Sequence, residues 1–277
     1  MNSMTGSLYL CPTPIGNLED ITLRVIRTLS EVDLIAAEDT RHTLKLLNHL
    51  DIKKPMISYF EHNKLERGEE IIAKLESGLN VALVTDAGMP AISDPGEVLV
   101  AQCIERGIEV IPLPGPNAAL TALIASGISA SRFTFQGFLT MNKRSRTEHL
   151  EIASKLPDTL IFYEAPHKLK STLADMLKHF GNRKIALCRE LTKTYEEFIR
   201  TDIEGAIKLY EEKSPKGEYV LIIEGCTPDI TEEFDDIPLE ELYKKYIDSG
   251  MDEKEALKKA AKNKGISKRD AYAILKT

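Results

Sequence analysis

Short apolar runs alternate with longer amphipathic stretches along the first part of the chain. Several runs are apolar at every position, which is typical of parallel strands that are covered by helices on both faces. Strands are predicted at residues 8–12, 32–38, 55–60, 80–85 and 108–113, and helical spacing recurs near 20–30, 40–50, 64–77 and 95–106. The alternation predicts an α/β domain with a largely parallel sheet over residues 1–117.

A second set of strand and helix patterns follows the first. A connection over residues 114–127 contains a helix that starts after Pro116. Beyond it, strands are predicted at 132–139, 159–165, 184–191, 196–202 and 219–225, and helices near 144–155, 166–180 and 203–213. Because more of these strands are adjacent in sequence, we expect a mixed sheet in a second α/β domain over residues 118–225.

The C-terminal part of the chain changes sharply in charge. Residues 226–240 contain six acidic and no basic residues, whereas residues 241–277 contain ten Lys/Arg and six Asp/Glu. The change predicts an acidic linker over 226–237 and a basic helical module over 238–277. Capping sequences at Asp252 and Ser267, with Gly265 at a turn, predict three short helices. The module resembles a helix-turn-helix; a helical hairpin that only packs on the protein body is the alternative.

Composition limits the class of protein. The chain is 43% apolar and 29% charged, as in ordinary globular proteins, and has no 18-residue apolar run or signal-peptide pattern. We therefore expect a cytoplasmic protein. Four dispersed cysteines and six histidines show no metal-binding spacing, so no metal site is predicted. A net charge of −7 argues against a chain-wide nucleic-acid coat but allows a local basic site.

Five unusual loops follow predicted strands, at residues 13–18, 38–43, 86–96, 114–118 and 163–169. Ligands of open α/β sheets bind beyond the carboxyl ends of the strands, where these loops should lie. The longest follows the fourth strand and reads DAGMPAISDPG. It fits neither the phosphate loop G-x-x-x-x-G-K-[ST] nor the dinucleotide pattern G-x-G-x-x-G. Exposed backbone with few cations favours a neutral or zwitterionic ligand.

The same segments resemble a known family. TPIGNLEDIT, AAEDTRHT, VTDAGMPAISDPG, PGPNAALTAL and FYEAPHKL occur in the order found in the ribosomal RNA small subunit methyltransferase I family, within the tetrapyrrole methylase superfamily. The resemblance covers residues 8 to about 225. It implies two α/β domains with S-adenosylmethionine in the cleft between them, and usually a homodimer. The implied reaction is methylation of a cytidine ribose 2′-oxygen in the decoding region of 16S rRNA.

The resemblance also assigns cofactor-binding residues. Relatives that act on corrin precursors carry Gly-Asp-Pro in the cofactor loop, where this chain has Gly88, Met89 and Pro90. The missing carboxylate means that the cofactor's amino group needs another acceptor. The remaining implied contacts are Ala91, Ile92, Ser93, Asn117, Ala118, Phe162, Tyr163, Gly217 and Tyr219.

A ribose hydroxyl is a weak nucleophile, so the reaction needs a base or a nearby cation. Glu38 and Glu164 are the candidate bases. The candidate cations are Arg41, Lys143 and Arg144. Asp39 and His42 are weaker candidates for the base. The alternative for the 38–43 segment is an ordinary helix start with an Asp39–Arg41 ion pair.

Basic residues are the expected RNA contacts, because phosphate groups supply most of the affinity for RNA. We expect Lys143, Arg144 and Arg146, together with Lys258, Lys259 and Lys262 of the tail, to contact RNA. A solvated charged surface is the alternative for both groups. Two other functions remain open: methylation of a corrin or other tetrapyrrole precursor, and RNA binding by a non-catalytic sensor of S-adenosylmethionine.

Overall fold

The computed structural model describes residues 5–227 and 237–275. Within these residues, ten strands form two five-stranded sheets. Residues up to Gly225 cluster as one compact unit, and residues from Cys226 onward form a second. All ten predicted strands are present, and the predicted α/β character of both halves is confirmed.

The first sheet is entirely parallel, with strand order β3-β2-β4-β1-β5. Its strands are β1 (Leu8–Leu10), β2 (Leu34–Ala37), β3 (Met56–Ser58), β4 (Val81–Val84) and β5 (Val110–Pro112). The helices are α1 (Leu23–Glu31), α2 (Thr40–His49), α3 (Lys64–Glu76) and α4 (Gly96–Glu105). Separate apolar clusters fill the two faces of the sheet, which explains why β2 and β4 are buried at every position.

The second sheet is mixed, as predicted, with strand order β6-β7-β10-β8-β9. Its strands are β6 (Phe133–Phe138), β7 (Thr159–Glu164), β8 (Lys184–Arg189), β9 (Glu197–Asp202) and β10 (Tyr219–Ile223). The helices are α5 (Ala118–Ala125), α6 (Lys143–Ala153), α7 (Leu169–Phe180) and α8 (Ile203–Glu212). Only β6 and β7 pair in parallel. Helix α5 covers one face of this sheet, and α6, α7 and α8 cover the other.

The C-terminal unit contains the three predicted helices, α9 (Leu239–Asp248), α10 (Glu253–Asn263) and α11 (Lys268–Leu275). They share an apolar core of their own. The Asp252 side chain accepts a hydrogen bond from the Glu255 N–H at 2.8 Å, and Ser267 accepts one from the Asp270 N–H at 3.1 Å. Gly265 has a φ of 63°, so both caps and the turn form as predicted. Most of the predicted acidic linker, residues 228–236, lies outside the described residues.

Candidate active site

A cleft of about 440 Å³ lies where strand ends of the two sheets face each other. The first sheet contributes Ile15, which follows β1, Glu38, which follows β2, and the loop from Thr85 to Asp94, which follows β4. The second sheet contributes the ends of β6, β7 and β8 and the start of β10. The cleft therefore lies at the carboxyl edge of the parallel sheet, where ligands of open α/β sheets bind.

The loop after β4 is held in an unusual backbone conformation. Gly88 has a φ of 82°, and two residues with side chains, Ala91 and Ser93, have φ values of 68° and 64°. Such left-handed residues cost free energy and persist only where surrounding contacts hold them. Gly88 exchanges two backbone hydrogen bonds with Thr13, at 2.9 and 3.0 Å. Asp94 Oδ1 accepts hydrogen bonds from the N–H groups of Ala91 and Gly96 at 2.8 and 2.9 Å.

Most of the residues expected to bind the cofactor line this cleft. They are Gly88, Met89, Ile92, Ser93, Asn117, Ala118, Tyr163 and Tyr219. Asn117 also caps α5, because its side chain accepts a hydrogen bond from the Leu120 N–H at 3.0 Å. Pro90 and Ala91 lie within the loop, but they are not among the lining residues. The loop predicted from the sequence thus forms one wall of the cleft.

Two residues of the second half that were expected to bind the cofactor, Phe162 and Gly217, do not line the cleft. The Phe162 ring is fully buried in the core beneath α6 and α7, on the face of β7 opposite to Tyr163, so a ligand in the cleft cannot contact it. Gly217 does not line the cleft and has a φ of 77°. A Cβ atom at Gly217 would lie 2.4 Å from Cγ of Glu190, a lining residue, so the glycine makes room for that side chain.

The two candidate bases both reach the cleft. Thr85 Oγ1 donates a hydrogen bond to Glu38 Oε2 at 2.7 Å. Glu164 is buried, and both of its oxygens are engaged: Oε1 accepts from the Ala165 N–H at 2.8 Å, and Oε2 accepts from the Thr172 hydroxyl. Glu164 therefore holds the turn from β7 to α7, whereas Glu38 lies at the cleft wall.

Arg41 lies outside this cleft. Its side chain is 89% exposed and forms an ion pair with Asp39 at 2.7 Å. Asp39 also caps α2 by accepting a hydrogen bond from the Arg41 N–H. These hydrogen bonds from Arg41 hold the pKa of the Asp39 carboxyl well below its usual range. The geometry is that of the alternative considered for this segment, a capped helix start with a local ion pair.

The three basic residues at the start of α6 differ in their surroundings. Lys143 and Arg144 are exposed, and Arg144 pairs with Glu148 at 2.9 Å on the same helix. Arg146 corrects the expectation of an exposed RNA contact, because its side chain is only 12% exposed. Its guanidinium donates to Asp175 Oδ2 at 2.7 Å and to Thr172 Oγ1 at 2.8 Å. It therefore joins α6 to α7 behind Glu164.

The tail lysines are exposed on α10. Lys258 and Lys262 lie one turn apart, so they share a face of the helix. The Lys259 ammonium lies 4.8 Å from the centre of the Tyr246 ring, which is cation–π distance. These residues offer positive charge to solvent in the C-terminal unit.

The lining of the cleft is strongly acidic. Six carboxylates line it, and Lys193 is the one cation among the described lining residues. Lys193 is itself paired with Glu190 at 2.9 Å and Glu218 at 3.0 Å. Burial raises the pKa of Asp86 and of Asp94, with the charge of Glu38 adding to both shifts. An acidic, partly desolvated cleft stabilises a cationic ligand better than an anionic one.

Sequence reasoning did not single out Asp86, Asp94, Glu190 or Lys193 as site residues, although all four line the cleft. A signal existed for the first two, because both aspartates belong to the loop that follows β4. The sequence held no such signal for Glu190 and Lys193, because their position at the cleft depends on the pairing of β8 with β10. Within residues 5–227 and 237–275, no cluster of His, Cys, Asp or Glu is arranged to hold a metal ion.

Solved structures with the same arrangement are methyltransferases. Uroporphyrin-III C-methyltransferase from Thermus thermophilus matches with a TM-score of 0.56 and 21% identity, over 79% of this chain and 94% of that one. The methyltransferase CobJ matches with a TM-score of 0.60 and 18% identity, over 80% of this chain and 95% of that one. The tetrapyrrole (corrin/porphyrin) methylase family matches residues 7–207. The family match thus places the chain in the tetrapyrrole methylase class.

Relatives of higher identity narrow the family. The chain is 53% identical over 272 residues to the ribosomal RNA small subunit methyltransferase I of Halalkalibacterium halodurans, covering 97% of this chain and 94% of that protein. It is 50% identical over 271 residues to the protein of the same name from Bacillus subtilis, covering 96% and 93%. The chain belongs to the ribosomal RNA small subunit methyltransferase I family, so the resemblance that the sequence motifs indicated is confirmed.

Proposed function

We propose that the protein transfers a methyl group from S-adenosylmethionine to the ribose 2′-oxygen of a cytidine in 16S rRNA of the small ribosomal subunit. The acidic cleft beside the strained β4–α4 loop is the observation that carries the proposal. Relatives that share about half of the residues over nearly the whole chain are named as methyltransferases of small-subunit ribosomal RNA. Action on the ribosome favours a cytoplasmic protein; none of the described helices is long and apolar enough to cross a membrane.

The residues of the cleft fit S-adenosylmethionine. Asp94 Oδ2 is buried and has no hydrogen-bond partner within the described residues, so it can accept a hydrogen bond from a bound ligand. Met89 leaves the loop without the carboxylate that corrin-type relatives carry, and Asp94 supplies one five residues later. Gly88 has a φ of 82°, which favours glycine, and a Cβ there would contact Ile15 Cγ2 at 3.4 Å and the Pro116 oxygen at 3.6 Å.

The residues of the cleft would have separate roles. Gly88, Ile92, Ser93 and Ala118 shape the walls, and Asp94 accepts from a cationic amino group. When bound, S-adenosylmethionine supplies a methyl group on a positively charged sulfur. The six carboxylates of the lining favour that charge over a neutral product, which helps the product leave. The attacking hydroxyl must lose its proton to a carboxylate of the wall, of which Glu38 is one candidate.

Methylation of a corrin or other tetrapyrrole precursor is less well supported. Such precursors are polycarboxylates, and the lining of the cleft repels further negative charge. The exposed lysines of α10 and the start of α6 fit an RNA backbone instead.

Labelled S-adenosylmethionine and small subunits that lack native methylation provide the test. After transfer, the rRNA is hydrolysed with alkali, which cannot cleave at a ribose 2′-O-methyl group. Label in an alkali-resistant dinucleotide that begins with cytidine is the expected result. Label in ordinary mononucleotides would instead mean base methylation. If neither subunits nor free rRNA take up label while the cofactor still binds, the protein is a tetrapyrrole methylase or a sensor.

A further inference from the structure

A second pocket of about 200 Å³ lies next to the cleft, on the same edge of the first sheet. Segments that follow three strands supply its walls. Thr13, Pro14 and Leu18 follow β1, and Thr85 and Asp86 follow β4. Helix α2, after β2, contributes His42, Thr43, Lys45 and Leu46. We call it the side pocket. It has no part in the cofactor assignments above.

Thr85 and Asp86 belong to the linings of both cavities. The wall that they form is well fixed, because Thr13 Oγ1 donates to the Thr85 carbonyl at 3.0 Å and Thr85 Oγ1 donates to Glu38 at 2.7 Å. Ligands in the two cavities would therefore adjoin each other at Thr85 and Asp86. That is the arrangement needed by a donor and an acceptor that exchange a group.

The chemistry of the side pocket fits one nucleotide. The side pocket has apolar walls against which a base can lie, formed by Pro14, Leu18 and Leu46. His42 and Lys45 are exposed and can donate hydrogen bonds to phosphate. Pockets for drug-sized ligands are roughly 300–1,000 Å³, so this smaller one suits a single flipped-out pyrimidine nucleotide and excludes a tetrapyrrole ring.

We propose that the side pocket binds the acceptor nucleotide of the RNA and that Asp86, on the shared wall, accepts the proton of the attacking hydroxyl. This inference rests on the proposed function. The hydroxyl oxygen forms a bond to the methyl carbon while the carbon–sulfur bond breaks. The bonding pair stays on the sulfur, which becomes neutral, and the hydroxyl proton passes to the Asp86 carboxylate and then to water.

The environment of Asp86 suits a base. Its Oδ1 accepts a hydrogen bond from the Asp39 N–H at 3.2 Å. Burial, followed by the charge of Glu38, raises the pKa of Asp86. The hydrogen bond from the Asp39 N–H and the charge of His42 oppose this rise, and the charge of Asp39 adds a smaller one. A carboxylate with raised proton affinity accepts a proton more readily than an exposed one. Glu38 thus acts through Asp86 and need not contact the acceptor.

Two pairs of variants test the inference with whole enzyme and small subunits. Asp86→Asn removes the base, and Asp51→Asn makes the same change at an exposed position where φ is 54°, which Asn tolerates. Leu18→Trp fills the side pocket, and Leu23→Trp adds the same ring at a position that is 85% exposed and outside the lining. Circular dichroism melting establishes that each variant is folded.

Three quantities are measured for each variant: affinity for S-adenosylhomocysteine by calorimetry, affinity for subunits by filter binding, and the single-turnover rate of methyl transfer. Asp86→Asn should lower the rate by about 10²–10⁴-fold with both affinities unchanged. Leu18→Trp should raise the subunit concentration needed for half-maximal rate by roughly 10- to 100-fold, with S-adenosylhomocysteine affinity unchanged. Both control variants should behave as wild type.

The outcomes separate this inference from the proposed function. Wild-type transfer to rRNA with undiminished rates in Asp86→Asn and Leu18→Trp would overturn the side-pocket assignment and leave the function standing. Loss of S-adenosylhomocysteine affinity in Asp86→Asn would place that residue in the cofactor site and overturn its role as base. Absence of transfer by the wild-type enzyme would contradict both the proposed function and the side-pocket inference.

Discussion

Individual side chains are where sequence and structure differ most. Arg146 lies in a basic run, KRSR, that predicts a surface, yet its guanidinium is bound to Asp175, which comes 29 residues later. Phe162 and Tyr163 are adjacent in β7, and the alternation of a strand sends only Tyr163 toward the cleft. Partners that are distant in the chain decide such positions, and one sequence does not reveal them.

Arg146→Ala should destabilise the fold, whereas Arg144→Ala should not. Removing Arg146 leaves Asp175 and Thr172 without their partner behind Glu164, which costs on the order of 1–3 kcal/mol. Arg144 forms an exposed pair with Glu148 that contributes about 0–1 kcal/mol. Urea denaturation of the two variants gives the comparison. Equal stability with a selective loss of RNA affinity in Arg146→Ala would show that this residue contacts RNA after all.

Helices and strands were predicted far better than side-chain partners. Every strand pattern gave a strand. The signal is strongest in β2 and β4, because residues buried on both faces leave an unbroken apolar run in the sequence. The β4–α4 loop was identified by its length and by its glycines and prolines. Its left-handed Ala91 and Ser93 were not, because neither residue type favours that conformation. The hydrogen bonds of Asp94 and Thr13 supply what local preference does not.

Gly88→Val should abolish binding of S-adenosylmethionine while the protein remains folded. A β-branched residue is strained at a φ of 82°, and its side chain would enter the cleft between Ile15 and Pro116. Gly107→Val is the matched control, because Gly107 has a φ of 67° and nothing within 4 Å of an added Cβ. Calorimetric titration with S-adenosylhomocysteine measures the effect. Wild-type affinity in Gly88→Val would refute the loop's assignment to the cofactor.

Charge is distributed unevenly over the whole chain. The net charge is −7, and the cleft is lined by six carboxylates, whereas the last 37 residues are basic. The proposed cationic donor and polyanionic RNA have opposite charge requirements, and the acidic cleft and the basic C-terminal unit would each suit one of them. The C-terminal unit has its own apolar core, so we expect it to fold independently.

Deletion of residues 226–277 should weaken binding to small subunits and leave the affinity for S-adenosylhomocysteine unchanged. Loss of phosphate contacts should also flatten the dependence of RNA affinity on salt. A full-length variant with Lys258→Glu and Lys262→Glu distinguishes charge from bulk, because both lysines are exposed on one face of α10. Filter binding over a salt series is the measurement. Unchanged subunit affinity in both proteins would exclude the tail as a docking module.

The strand order of the first sheet has a consequence for how the protein is made. The interior strand β1, at residues 8–10, pairs with β4 and β5, which end at Val84 and Pro112. β1 therefore has no neighbour until 74 further residues, up to Val84, have been synthesised. At roughly 5–20 residues per second, that interval is about 4–15 s. The nascent chain carries an unpaired apolar strand throughout this time, so its yield in the cell should depend on the chaperones that meet it at the ribosomal exit.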